Sequence, residues 1–199
     1  MATPRPIANT DDVNKVRAVL NTHRDHALFE LGINLAFRGG DLLRITMEQV
    51  VGKKDGAMII IKEQKTSKRK RNPRRAELNQ GCIDALAPLI EERLKQGASM
   101  EDPLFVTARS RNRKFQALSI VSLSRLWKDW CEAAGLELDV GECFSSHTAR
   151  KTKGHILRVE QGMPLEVLQD VLGHSSIKVT QHYLHIEKKE VSAFYRAAI

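Results

Sequence analysis

Apolar residues recur at helical spacing along most of the chain, and the stretch from 50 to 78 breaks that pattern with a β-branched run. That interruption constrains the fold most, because several amphipathic helices must then pack around one small sheet. Thr10, Asp11 and Asp12 form a helix-start signal ahead of the stripe Val13, Val16 and Leu20. Leu28, Leu31 and Leu35 mark a second helix that runs into Phe37, Arg38, Gly39 and Gly40. The glycine pair is expected to break that helix, and Asp41 to cap a short one through Leu42 and Leu43. Met58, Ile59, Ile60 and Ile61 are too few and too β-branched for a helix, with a turn from Gly52 to Gly56 before them. A basic turn, Lys65 to Arg71, separates them from a further strand ending near Leu78. The expectation is a three-stranded antiparallel sheet inserted among helices.

Asn79 is placed to cap a helix carrying Ile83, Leu86, Leu89, Ile90 and Leu94, which Pro88 can kink. Residues 97 to 117 read as loop. Ser119 to Ala134 is amphipathic, with Leu123, Trp127, Trp130 and Ala134 on one side, and Gly135 ends it. Three helices follow, near 148 to 161, 164 to 172 with Pro164 in first position, and 177 to 185; a short terminal helix covers 187 to 197. The chain shows no repeat, low-complexity tract or linker. The fold class is therefore α+β and mainly helical, as one domain over 1–199.

Charge narrows the partner. Lys and Arg number 32 against 24 Asp and Glu, a formal net charge of +8, which favours nucleic acid or an acidic membrane surface. No apolar run approaches the roughly 18 to 20 residues of a membrane span, and Met1 to Pro6 has no signal-peptide core. Cys82, Cys131 and Cys143 are odd in number and lack the C-x-x-C spacing, so a disulfide scaffold and a structural zinc finger are poor readings. A cytoplasmic setting is expected.

Four local features look chemical. Arg38 stands beside two glycines, where backbone can approach a ligand closely. Lys65 lies in a turn dense with cations. His147 and Arg150 are three residues apart at a helix start and so share a side. Leu172-Gly173-His174-Ser175-Ser176 precedes Thr180-Gln181-His182-Tyr183 by about two helical turns. Taken singly, each has an ordinary alternative: a helix-end arginine, a solvated basic turn, a capping histidine, a packed tyrosine.

Their order along the chain resembles the tyrosine recombinase (phage integrase) family. Ala36-Phe37-Arg38-Gly39-Gly40-Asp41-Leu42-Leu43 looks like its first arginine box, and Glu63-Gln64-Lys65-Thr66-Ser67-Lys68 like its hairpin lysine segment. His147-Thr148-Ala149-Arg150-Lys151-Thr152 looks like its H-x-x-R box, and Leu172 through Tyr183 is similar to the segment that leads to its nucleophile. The resemblance spans about residues 10 to 190. It implies a site-specific DNA recombinase or integrase that forms a 3′-phosphotyrosyl intermediate without metal, ATP or other cofactor. It also implies double-stranded DNA and further copies of the chain as partners, four around a synapse, and a prokaryotic nucleoid-associated or mobile-element setting. Family members usually carry an N-terminal DNA-clamping domain; here only a short lead precedes the first helix. That domain is therefore expected to be absent, as in an isolated catalytic domain or a short single-domain recombinase that inverts DNA.

Elementary chemistry fits the same residues. Charge that builds on the phosphate's non-bridging oxygens suits Arg38 and Arg150, whose planar guanidinium groups stay ionised. The phenol of Tyr183 has an ordinary pKa near 10 and needs cations or a base to attack; His147 is the candidate base. Lys65 is the candidate acid for the departing 5′-oxygen, with Lys62 and Lys68 as competitors, and His174 would hydrogen-bond the phosphate. Phosphate contacts are assigned to Lys68, Arg69, Lys70 and Arg71, and to Arg109, Arg111, Arg113 and Lys114. Tyr195 lies beyond the matched segment and is read as packing. Three other readings compete: a metal site at His174, His182 and His185, which lacks a completing carboxylate; a non-catalytic DNA-binding protein; and a type IB topoisomerase.

Overall fold

The computed structural model describes residues 2–61, 73–107 and 115–184. Its elements in chain order are β1 (Thr3–Pro4), α1 (Thr10–Ala18), α2 (His23–Leu35), α3 (Gly39–Leu42), β2 (Met58–Ile61), β3 (Arg74–Glu77), α4 (Gln80–Lys95), α5 (Ile120–Ala133), β4 (Glu142–Cys143), α6 (Thr148–Val159), α7 (Leu165–Leu172) and α8 (Ile177–Leu184). Helix α2 is the centre. Ala27, Leu28, Phe29 and Leu31 are completely buried, because α2 meets α4 on one side and α6 on another. Phe29 stacks on Trp127 of α5 at 5.2 Å, and Trp130 meets Trp127 edge-on at 5.4 Å. Such aromatic pairs contribute about 0.5–1.5 kcal/mol each beyond the area they bury.

The helix starts follow local chemistry. Asn9, Thr22, Asn79 and Ser119 each accept a hydrogen bond from the backbone N–H three residues on, which satisfies one orphan donor of α1, α2, α4 and α5. Pro88 lies inside α4, which continues through it to Lys95. Leu94 of that helix is 44% exposed and sits off the buried stripe assigned to it.

The sheet differs from expectation. Among the described residues there are two sheets of two strands: β2 against β3, antiparallel from Met58↔Glu77 to Ile61↔Arg74, and β1 against β4, parallel. The three-stranded antiparallel sheet is not formed among the described residues. Its first strand would precede the Gly52 turn, but Thr46 and Gln49 there close a capping box around a 3₁₀ turn at Met47–Gln49. The backbone of this segment is taken up elsewhere: Thr46 bridges Pro103, and the Met47 and Glu48 N–H groups donate to Asp102 O (3.0 Å) and Met100 O (2.8 Å), so it pairs with the 100–104 stretch and not with β2. The lead before α1 is tied down instead: Arg5 reaches Glu142 at 2.7 Å, and the Ile7 N–H donates to Thr152 Oγ1 at 2.9 Å.

The first arginine box is also built differently. Helix α2 stops at Leu35 because Ala36 turns left-handed (φ 50°), not because the glycines break it. Gly39 begins α3 and lies under α5; an added Cβ would sit 2.8 Å from Ile120 Cδ1 and 2.9 Å from Leu123 Cδ2. Asp41 is buried within α3 and paired with Arg44 at 2.6 Å, while Arg38, not Asp41, occupies the cap position. Pro164 precedes α7 as its cap rather than opening it.

Candidate active site

The site forms where the left-handed corner at Ala36, the strand end at Arg74, helix α6 and the α7–α8 corner meet. Helix α7 ends at Gly173, whose φ of 61° suits a residue without a Cβ. Every carbonyl of its last turn has a partner. Gln169 O accepts from the His174 N–H at 2.9 Å and Asp170 O from the Gly173 N–H at 3.0 Å. Val171 O accepts from Arg74 Nη2, and Leu172 O accepts from both Arg74 Nη1 (3.0 Å) and Arg150 Nη2. Two guanidinium groups therefore end the helix where its dipole is negative.

Arg150 is 2% exposed, and its Nη1 donates to Ala36 O at 2.7 Å. One side chain thus bridges the carbonyl two residues before Arg38 to the carbonyl two residues before His174. His174 Nδ1 and Thr180 Oγ1 share a hydrogen bond of 3.0 Å, which ties the α7 corner to α8. Tyr183, three residues along α8, presents its ring to three cationic or imidazole groups. His174 meets it edge-on at 5.0 Å, the Lys151 ammonium lies 5.4 Å from its centroid, and the Arg150 guanidinium carbon lies 5.9 Å away.

The Tyr183 hydroxyl is buried and closes no hydrogen bond of good geometry among the described residues, although Arg150 faces it. Burial pushes its phenol above the ordinary value; Arg150, Arg38 and Arg74 pull the other way without overcoming burial. A group carrying negative charge and acceptor oxygens, such as a phosphodiester, matches the guanidinium groups around it. Burial likewise lowers the Lys151 ammonium, with Cys143 and Glu142 opposing.

Arg38, Arg150, His174 and Tyr183 are therefore brought together from positions far apart in the chain. His147 occupies the exposed cap position of α6, three residues before Arg150. Lys65 and its competitors Lys62 and Lys68 lie outside the described residues. So do Arg69, Lys70, Arg71, Arg109, Arg111, Arg113, Lys114, His185 and Tyr195. Among the described residues no three His, Cys, Asp or Glu side chains are grouped to hold a metal ion, and no helix is long and apolar enough to cross a membrane.

Sequence reading missed Arg74 and Lys151. Arg74 could have been found from strand alternation: Arg74 and Ala76 turn inward while Arg75 and Glu77 are exposed. Lys151 had no such signal, since its position beside Tyr183 depends on how α6 meets α8.

The phage integrase family model matches residues 8–190. The tyrosine recombinase XerC of Caldanaerobacter subterraneus subsp. tengcongensis is 27% identical over 168 residues, which cover 84% of this chain and 43% of that protein. The probable integrase/recombinase YoeC of Bacillus subtilis (strain 168) is 27% identical over 194 residues, covering 96% of this chain and 95% of that one. The chain thus spans less than half the length of the XerC relative and nearly all of YoeC. In fold it is similar to the XerA recombinase (TM-score 0.73, 21% identity, 99% of this chain and 65% of that one). It is also similar to the XerH site-specific recombinase bound to a palindromic difH substrate in a post-cleavage complex (TM-score 0.72, 19% identity, 96% and 52%). With a family model matched over almost all of its length and the fold of solved recombinases, this chain belongs to the phage integrase family of tyrosine recombinases.

Proposed function

We propose that this chain is a site-specific recombinase that cleaves and rejoins DNA strands with Tyr183 as the nucleophile. The observation that carries the reading is the buried Tyr183 hydroxyl, facing Arg150 with Arg38 and Arg74 nearby and closing no good hydrogen bond among the described residues. The phenolic oxygen attacks the scissile phosphorus, a P–O bond to tyrosine forms, and the bond to the 5′-oxygen breaks. His147 takes the phenolic proton and Lys65 supplies one to the departing oxygen. Arg38 and Arg150 neutralise the charge that develops on the non-bridging oxygens, and His174 orients the phosphate. The 3′-phosphotyrosyl bond conserves the energy of the broken one, so religation to another strand needs no ATP. Neutralisation by side chains makes a divalent metal unnecessary to this scheme.

The partners follow from the reaction. Exchange between two duplexes requires four strand cleavages, so four copies of the chain act at one synapse. XerH has been captured on its DNA substrate and lambda integrase as a dimer on a core site, which supports DNA and further copies as partners here.

The test is trapping on a nicked duplex carrying the recognised site, in excess EDTA. The wild-type chain is expected to form a covalent protein–DNA adduct, and Tyr183→Phe to bind the same DNA and form none. Arg38→Ala and Arg150→Ala should each slow adduct formation by about 10² or more, as loss of one oxyanion donor does elsewhere. An adduct of normal yield from Tyr183→Phe removes Tyr183 from the mechanism. DNA binding without any wild-type adduct would make the chain a non-catalytic DNA-binding member of the family.

A further inference from the structure

We propose that Arg74 is a positioning residue of this site, holding the α7 corner, and with it His174, against the end of the β2–β3 hairpin. The inference rests on the recombinase reading above for its rate measurement but on geometry alone for its origin. A Schellman-type turn satisfies the carbonyls of Gln169 and Asp170 and leaves those of Val171 and Leu172 unprovided for. Arg74 takes both of them. Its guanidinium carbon also lies 5.4 Å from the Phe37 ring centroid, beside Arg38 in sequence, and its Nη1 lies 3.6 Å from where a Cβ on Gly173 would stand.

These contacts place one planar cation among three parts of the site. Phe37 belongs to the first arginine box, Val171 and Leu172 immediately precede Gly173 and His174, and Arg74 begins the strand that follows the Lys65 segment in sequence. Leu172 O is shared with Arg150, so Arg74 and Arg150 register against the same atom. Removal of Arg74 would leave Val171 O without this donor and Leu172 O with Arg150 alone, and a helix end so released can shift. A misplacement of about 1 Å at a reacting group can cost about 10² in rate. A lysine at this position offers one point charge for two carbonyls and cannot reproduce the planar fork.

The test uses the full chain with Arg74→Met, which keeps the aliphatic packing on Phe37 and removes every donor, and with Arg74→Lys. Three quantities are measured: affinity for the duplex, single-turnover adduct formation at saturating DNA, and the His174 imidazole resonances, assigned by their loss in His174→Gln. Arg74→Met is expected to bind DNA within about threefold of wild type, to form adduct about 10- to 100-fold more slowly, and to shift the His174 resonances. Arg74→Lys is expected to lie between the two. A wild-type rate in Arg74→Met, or a loss that saturating DNA restores, overturns the proposal. Should Arg74→Met fail to fold, Arg74→Lys carries the test, and a wild-type rate with unshifted His174 resonances overturns it. Should the wild-type chain form no adduct, the recombinase reading fails separately, and the His174 resonances alone decide whether Arg74 holds the corner.

Discussion

His155 shows how a single residue couples pH to folding. It lies on α6, where burial holds its imidazole below the ordinary 6.5; the Ala8 backbone and Glu160 pull it up, and Arg5 adds to the depression. The folded state therefore binds a proton less readily than the unfolded chain. Stability from this group is fully present above the unfolded value of about 6.5 and is lost as pH falls towards the lower folded value. The thermal unfolding midpoint of the wild-type chain should fall between about pH 7 and 5 by more than that of His155→Gln. Equal slopes in a pH series of unfolding curves would show that His155 does not titrate differently on folding. Legibility at this scale was uneven. Arg38, Arg150, His174 and Tyr183 could be named because their types and order are particular. Lys151 could not, because a basic residue in a basic chain carries no mark of where its head will lie, and for Arg74 strand alternation marks only the inward side, not the carbonyls it reaches.

At the scale of elements, the glycines of α3 and α6 set how closely helices meet. Gly39 lies under α5, and Gly154 of α6 faces the α7–α8 corner, where an added Cβ would stand 3.0 Å from Leu184 Cδ2 and 3.4 Å from Leu172 Cδ1. Gly39→Ala should destabilise by about 1–3 kcal/mol, since overpacking forces side chains off their rotamers. Denaturant unfolding measures this, and a stability within about 0.5 kcal/mol of wild type would mean that Ile120 and Leu123 give way freely. The helices themselves were legible. Caps at Asn79 and Ser119 and the apolar stripes of α4 and α5 mark their bounds to within a residue or two. The sheet was not, because the segment expected to supply its first strand turns 3₁₀ at Met47–Gln49 and gives its N–H groups to the carbonyls of Met100 and Asp102 instead. The two-residue β1–β4 pair was invisible because its partners, Thr3 with Glu142 and Pro4 with Cys143, stand more than two thirds of the chain apart and carry no strand periodicity.

For the whole molecule, a net charge of +8 would make the proposed binding of DNA a matter of counterion release as much as of shape. Log affinity for duplex DNA should fall linearly with log salt. Replacing Lys68, Arg69, Lys70 and Arg71 with Gln should flatten that slope by up to about 3 to 4 if each neutralises a phosphate. A salt titration of binding reads this directly, and an unchanged slope would place the phosphate contacts elsewhere, with Arg109 to Lys114 next. The same titration of Arg74→Met should keep the wild-type slope if Arg74 serves the two carbonyls and not a phosphate.

The sequence by itself determined the helical frame, the single β-branched interruption, the basic balance and the identity of the residues that carry the family's boxes. Each of these rests on local physics: periodicity, capping, side-chain type and order. The tertiary structure alone decided that Arg150 joins the corner at Ala36 to the end of α7, and that Arg74 arrives from a strand nearly a hundred residues earlier to finish the same helix. Buried carbonyls require partners, but nothing in a linear chain says which donor will reach them. Only when α2, α6 and α7 have packed does the end of α7 lie within reach of both guanidinium groups, and only then does Tyr183 lie against cations drawn from three separate elements.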